Sequence, residues 1–190
     1  MVMDTDARLD ALGFFQDGFQ VLDIGSGYGY IPMYLMRERK KVAYHGIDID
    51  RNNIQHCRNI SQGTGFKFNY LPIQSDTYNP DGVMSPTHFT LPLKDKSVNS
   101  IVCHSLFTHL DTEEVASRYV AEITRVLMNG GLLWTTWFAS PPNRVGGGTL
   151  RTVYPMEFIH NLLGEFEYIE VSGGETDEYN DQLEIACVKC

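Results

Sequence analysis

Short, nearly continuous apolar runs alternate along this chain with stretches whose apolar residues recur every three to four positions, and that alternation leaves few folds open. Phe19 to Ile24 reads as a strand, and Tyr28 to about Arg39 as a helix with Ile31, Tyr34 and Leu35 on one side. "KVAYHGIDI" is a second strand, followed by a helix from Arg51 to Ser61 that places Ile54 and Cys57 together. "FKFNYL" is a third strand and "VNSIVCHSL" a fourth, separated by a long polar stretch from Pro72 to Ser97. A helix capped by Asp111 or Thr112 follows, with Glu114 three residues after Asp111 in a capping-box arrangement. Its apolar face runs Ala116, Tyr119/Val120, Ile123 and Val126/Leu127, and Gly130-Gly131 is expected to end it. "LLWTTWF" is the fifth strand, and a further helix is expected near Pro155. "FEYIEVS" and "LEIACVKC" close the chain as two strands whose acidic link is too short for a helix, so they should pair antiparallel.

Buried strands alternating with helices predict an α/β fold: a doubly wound, mostly parallel sheet with helices on both faces and an antiparallel C-terminal edge. One domain over residues 1–190 suffices. Within it, residues 1–18 form a short N-terminal helix or arm, 72–97 a long loop near the site, and 139–154, which holds Gly146 to Gly148, a candidate lid or plain connection. The formal net charge of −9 argues against a nucleic-acid partner, which calls for clustered Lys and Arg. The basic run Arg37 to Lys41 falls where a helix should end, and there it complements the helix dipole. No apolar stretch approaches the ~20 residues of a membrane span, so a cytoplasmic location and no membrane partner are expected. Cys187 and Cys190 would point to opposite faces of a strand, and no metal site is expected.

The chemistry begins at "VLDIGSGYGY", residues 21–30. Gly25, Gly27 and Gly29 suit a turn in which bare backbone nearly touches a ligand. A dinucleotide loop has a third small residue where this chain carries Tyr30. Asp23 beside the turn would repel a pyrophosphate, but would attract ammonium and sulfonium groups. In "GIDID", Asp48 stands 23 residues after Gly25 (48 − 25), where a carboxylate can accept hydrogen bonds from both ribose hydroxyls; Asp50 is the competitor.

Together "VLDIGSGYG", "GIDID", "LPLKDKSVNSIVCHSLFTHL" and "EITRVLMNGGLLWTTWF" resemble, in order and spacing from about Phe19 to Phe138, the motifs of class I S-adenosylmethionine-dependent methyltransferases. "YNPDG" (Tyr78 to Gly82) and SLFTHL look like a subgroup of small stand-alone members. The resemblance implies a Rossmann-like, seven-stranded sheet. It also implies S-adenosyl-L-methionine as cofactor and S-adenosyl-L-homocysteine as product. Asp23, Gly25, Ser26 and Gly27 would hold the methionine end and Asp48 the ribose, Gly29 and Ile49 would also belong to the cofactor site, and Cys103 and His104 would lie beside the cofactor. The fourth strand departs from the family at Val98-Asn99, where an aromatic-Asp pair is usual. No clear carboxylate for adenine follows the third strand; Asp76 and Asp81 are the candidates.

Methyl transfer from a sulfonium needs alignment above all, and a base only where the acceptor must lose a proton. The candidates for that base are His104, His109 and Tyr78. Trp134 reads as core, while Trp137 or Phe138 at the strand's exit has a fairer claim on the pocket. "CHSL" after the fourth strand lacks the Pro-Pro-aromatic signature of nucleic-acid amino-methyltransferases, and "SPPN" falls after the wrong strand. The absence of carboxylates at the fourth strand's end also disfavours aminopropyl transfer. The expected activity is methyl transfer to a small-molecule acceptor, with a homo-oligomer open because little chain precedes the first strand. A catalytically silent cofactor-binding module and a protein side-chain methyltransferase are the alternatives.

Overall fold

The computed structural model describes residues 5–140, 152–173 and 182–190. Helix α1 (Thr5–Ala11) precedes β1 (Gln20–Ile24), α2 (Tyr30–Arg37), β2 (Ala43–Asp48), α3 (Arg51–Ile60) and β3 (Lys67–Tyr70). Then come β4 (Val98–Cys103), a short 3-10 helix (Phe107–His109), α4 (Glu113–Val126), β5 (Leu127–Ser140), β6 (Val153–Pro155), α5 (Met156–Leu162), β7 (Phe166–Ser172) and β8 (Leu183–Lys189). The sheet runs β3-β2-β1-β4-β5-β8-β7. Pairing is parallel as far as β5, and β8 is antiparallel to both β5 and β7. Strand order reverses between β1 and β4, and a crevice opens beyond their C-terminal ends, where doubly wound sheets bind ligands.

Alternate strand residues feed two cores. Val21, Val102, Trp134 and Ala186 pack with Leu9, Ile31, Leu35 and Ile54 of α1, α2 and α3. Leu22, Ile101, Leu133 and Ile185 pack on the opposite face with Ala116, Val120 and Ile123 of α4 and Ile159 of α5. That two-sided burial explains why the parallel strands read as continuous apolar runs.

Three details differ from the sequence expectation, and one alternative it left open, the cap of α4, is decided. An eighth strand, β6, pairs with the far end of β5 through Phe138 to Ser140. Its three residues are too few to show periodicity. Helix α4 stops at Val126, not at Gly130-Gly131. The glycines lie in the bulged start of β5, where Val98 pairs with Leu127 but Ser100 already pairs with Leu132. A Cβ on Gly131 would come within 2.7 Å of Leu127 Cδ1, so that bulge needs a glycine. Thr112, not Asp111, caps α4: its hydroxyl accepts from the Val115 N–H at 3.2 Å. Trp137 is fully buried, stacked on Phe107 at 4.0 Å and edge-on to Tyr154, and so belongs to the core with Trp134.

The long connection before β4 is held at both ends. Glu122 of α4, almost fully buried, accepts the Leu91 N–H at 2.7 Å and pairs with Arg118 and Arg125, whose guanidinium groups also reach the carbonyls of Phe89, Leu91 and Leu93. Nearer β3, the side-chain amide of Asn79 donates to the Ile73 carbonyl at 2.8 Å, while Gln74 and Met84 pair through their backbones. At Gly82 a Cβ would stand 2.6 Å from the Gln74 backbone. These contacts fix Tyr78 at the tip of the turn.

Candidate functional site

The turn after β1 is shaped by three glycines with positive φ: Gly25 at 80°, Gly27 at 49° and Gly29 at 82°. The N–H groups of Gly25 and Ser26 donate to the Ile47 carbonyl at 2.8 and 3.1 Å, which binds the turn to the end of β2. Gly27 donates its N–H to Asp48 Oδ2 at 2.7 Å, and the Asp50 N–H donates to Asp48 Oδ1 at 2.7 Å. Asp48 is thereby fixed across the turn. Burial pushes its pKa above the ordinary value, while the two N–H donors pull it down. Asp50 caps α3 by accepting the Asn52 N–H at 2.7 Å and, like Asp48, borders the crevice over the turn.

Asp23 is buried, and its Oδ2 accepts the Tyr44 hydroxyl at 2.6 Å. Burial raises its pKa from 3.8 to about 7, against the opposing effect of the tyrosine bond. A cation brought alongside would favour the ionised form.

A cavity of about 450 Å³ opens over this turn, within the usual range of roughly 300–1,000 Å³ for ligand pockets. Of the residues expected at the cofactor, Asp23, Gly25, Ser26, Gly27, Asp48, Ile49 and His104 line it. Gly29 and Cys103 do not. A Cβ at Gly29 would meet Cys57 Sγ at 3.0 Å and Ile60 Cδ1 at 3.1 Å, so that glycine lets α2 pack on α3. Cys103 is wholly buried in the core on the α4 face.

Tyr78 and His109 also line the cavity, joined by a 2.9 Å hydrogen bond between the phenol oxygen and imidazole Nδ1. Burial, with Asp111 nearby, raises the Tyr78 pKa. Asp76 and Asp81 lie off the cavity, whose wall on that side is Ile73, Gln74 and Ser75. Sequence reasoning missed those three, along with Tyr28, Asn53, Leu106, Leu110 and Val115. Tyr28 stands between two of the motif glycines and was open to notice. Leu110 and Val115 enter from the start of α4, and no local pattern announces that.

The chain leaves β4 through a strained turn. Ser105 has φ 55°, uncommon for a residue with a side chain. Its N–H donates to the buried hydroxyl of Thr136 at 2.6 Å and its own hydroxyl donates to Gln182 Oε1 at 3.2 Å. His104 and Ser105 consequently border a second cavity as well, of about 520 Å³, whose remaining walls are Arg8, Ser172, Gly173, Gln182 and Glu184. The segment 141–151, which holds most of the candidate lid, lies outside the described residues.

Among the described residues no cluster of His, Cys, Asp or Glu is placed to hold a metal ion, and no helix is long and apolar enough to cross a membrane. A family model described as a methyltransferase domain matches residues 22–135. A fatty-acid O-methyltransferase of Mycolicibacterium smegmatis is 26% identical over 118 residues, which are 60% of this chain and 35% of that protein. A phthiotriol/phenolphthiotriol dimycocerosates methyltransferase 1 of Mycobacterium ulcerans is 28% identical over 122 residues, 63% of this chain and 37% of that one. The chain spans about a third of the length of these curated relatives. A crystal structure of a SAM-dependent methyltransferase from Methanosarcina mazei superposes with a TM-score of 0.68 at 19% identity, covering 95% of this chain and 96% of the other, a likeness of fold.

Proposed function

Because the chain belongs to the methyltransferase domain family, we propose that it transfers the sulfonium methyl group of S-adenosyl-L-methionine to a small-molecule acceptor and releases S-adenosyl-L-homocysteine. The observation that carries this reading is the pairing of two buried carboxylates around a bare-backbone turn. Asp48, fixed by the N–H groups of Gly27 and Asp50, suits a ribose diol. Asp23, buried beneath the same turn, suits a cationic rather than a pyrophosphate-bearing nucleoside. The cofactor supplies an electrophilic methyl carbon whose leaving group is already activated.

The chain's own contribution is alignment, exclusion of water and custody of a proton. His104, which borders both cavities, is the group assigned to take the acceptor's proton. The acceptor's lone pair forms the new bond to carbon, and the electrons of the broken carbon–sulfur bond return to sulfur. Tyr78 and His109, bonded to each other across the cavity, close its other side. The names of the two curated relatives, both methyltransferases and one of them an O-methyltransferase of fatty acids, support a small-molecule acceptor.

Calorimetric titration with S-adenosylmethionine and with NAD, followed by incubation with methyl-labelled cofactor and a metabolite extract, tests the reading. Tight S-adenosylmethionine binding with label in the low-molecular-weight fraction is expected. Binding without transfer would identify a silent module, label in protein would identify a side-chain methyltransferase, and NAD binding alone would overturn the assignment.

A further inference from the structure

We infer that Asp23 is a proton-exchange site: in the cofactor-free protein its carboxyl holds a proton near neutral pH, and the ammonium group at the methionine end of S-adenosylmethionine displaces it. Cofactor binding therefore releases a proton, and by reciprocity acid weakens cofactor binding. This deepens the methyltransferase reading and rests on it.

The geometry sets the two carboxylates of the turn apart. Asp48 accepts the backbone N–H groups of Gly27 and Asp50, which favour its ionised form. Asp23 has no N–H donor: its Oδ2 accepts the Tyr44 hydroxyl, and its Oδ1 has no hydrogen-bond partner among the described residues. It is only 2% exposed, yet it borders the cavity. The groups that act on it are Tyr44 and Asp48 of β2, Cys57 of α3, Cys103 of β4 and Asp6 of α1, each neutral or negative. Arg8 of α1 lies over Trp134, two strands along the same row of the sheet, and is held by Glu170 and Glu184. A buried carboxyl with such neighbours keeps its proton well above the usual range, in line with a pKa of about 7. An ammonium group at the cavity wall brings both the N–H donors and the positive charge that Asp23 lacks. The O–H bond of Asp23 then breaks, its electron pair stays on oxygen, and the proton passes to solvent.

Calorimetry of S-adenosylmethionine binding in two buffers of different ionisation enthalpy counts the protons released. With the pKa near 7 in the free protein and about one unit lower in the complex, about half a proton should leave at pH 6.5. Affinity should fall about six-fold from pH 7.5 to pH 5.5. S-adenosylhomocysteine keeps the ammonium group without the sulfonium and should release as much. 5′-Methylthioadenosine lacks the amino-acid end and should bind with no release. Asp23→Asn should bind S-adenosylmethionine with no release and with an affinity level across that pH range. Tyr44→Phe withdraws the hydroxyl that favours the ionised form, so it should move the release to higher pH. It serves as the second variant should Asp23→Asn fold poorly, with thermal melting as the check on both. Release that persists in Asp23→Asn would belong to His104 or His109, which border the same cavity, and would overturn the inference. So would equal release by 5′-methylthioadenosine, an unshifted profile in Tyr44→Phe, or tight S-adenosylmethionine binding by the wild type with no release. Failure of every adenosyl ligand to bind would strike the methyltransferase reading, and the inference with it.

Discussion

The two cavities that meet at His104 are built in opposite ways. The wall of the cofactor cavity around the glycine turn comes from two strand ends and the turn between them, and its polar groups are backbone amides and two buried carboxylates tied down by hydrogen bonds. The described wall of the second cavity carries an ion pair, Arg8 of α1 with Glu184 of β8, partly open to solvent and 176 residues apart in sequence, beside Ser172, Gly173 and Gln182. A rigid wall faces the proposed cofactor, and a more adjustable one, built on an ion pair, lies beyond His104. Preorganised backbone donors and buried acceptors need no rearrangement when the ligand arrives, whereas half-exposed ion pairs are individually weak and easily re-specified by substitution.

The sharpest break in this contrast is Asp48→Ala. It removes the proposed ribose acceptor and also the group that holds the Gly27 and Asp50 N–H groups. With hydrogen bonds to a charged group contributing about 1.5–3 kcal/mol each, S-adenosylmethionine affinity should fall on the order of 100-fold or more by calorimetry. Unchanged affinity in a correctly folded variant would take Asp48 out of the site.

Asp23→Asn should separate stability from binding. The folded pKa of Asp23 is raised from 3.8 to about 7, so the native chain retains a proton that the unfolded chain has already lost in that interval. The stability this group contributes is therefore greatest below about pH 4, falls as pH rises towards 7, and changes little above that. Above pH 7 the ionised side chain costs on the order of 4 kcal/mol, since one pKa unit corresponds to about 1.4 kcal/mol. The asparagine side chain can still accept the Tyr44 hydroxyl without a buried charge. The variant should melt higher than wild type at pH 8 and lose that advantage at pH 5, while binding the cofactor about ten-fold more weakly. Unchanged cofactor affinity would remove Asp23 from the site.

Thr136→Val probes the junction. The Thr136 hydroxyl accepts the Ser105 N–H at the strained exit of β4, and valine leaves that donor without a partner at a cost of about 1–3 kcal/mol. Because Ser105 stands on both cavities, kcat should fall, and Thr136→Ser should restore it. A loss of stability with kcat unchanged would reduce Thr136 to a packing residue.

What could be read from the sequence follows the same divide. The glycine turn, Asp23 and Asp48 are contiguous with the strands that position them, so period and residue type sufficed to place them at one strand edge. Asp48 was preferred to Asp50 because the strand ends there; in the structure Asp48 holds the Gly27 N–H across the turn, while Asp50 caps α3, and both line the cavity. Trp137 was misplaced because a strand exit does not reveal that β6 and α5 return to cover it; only the Phe107 and Tyr154 contacts do. Gly130 and Gly131 carry the signal of a helix end, yet tertiary pairing with β4 made them a bulge. Arg8, Glu170 and Glu184 gave no signal at all. Each sits at the polar position of an ordinary amphipathic element, and only the antiparallel return of β7 and β8 brings them to α1.

The smallest expected effect tests the ion pair that ties β7 to α1. Glu170 is over a third exposed, and its pairing with Arg8 should contribute less than about 1 kcal/mol after solvent screening. In Glu170→Gln the side-chain carbonyl still accepts from Arg8, so the melting temperature should move by only a few degrees. What changes is charge: one of the two carboxylates held by Arg8 is neutralised while its shape is retained. The difference in melting temperature should shrink further in high salt. A variant that lost stability heavily would show that Glu170 braces Arg8, and with it α1, by more than a screened surface charge.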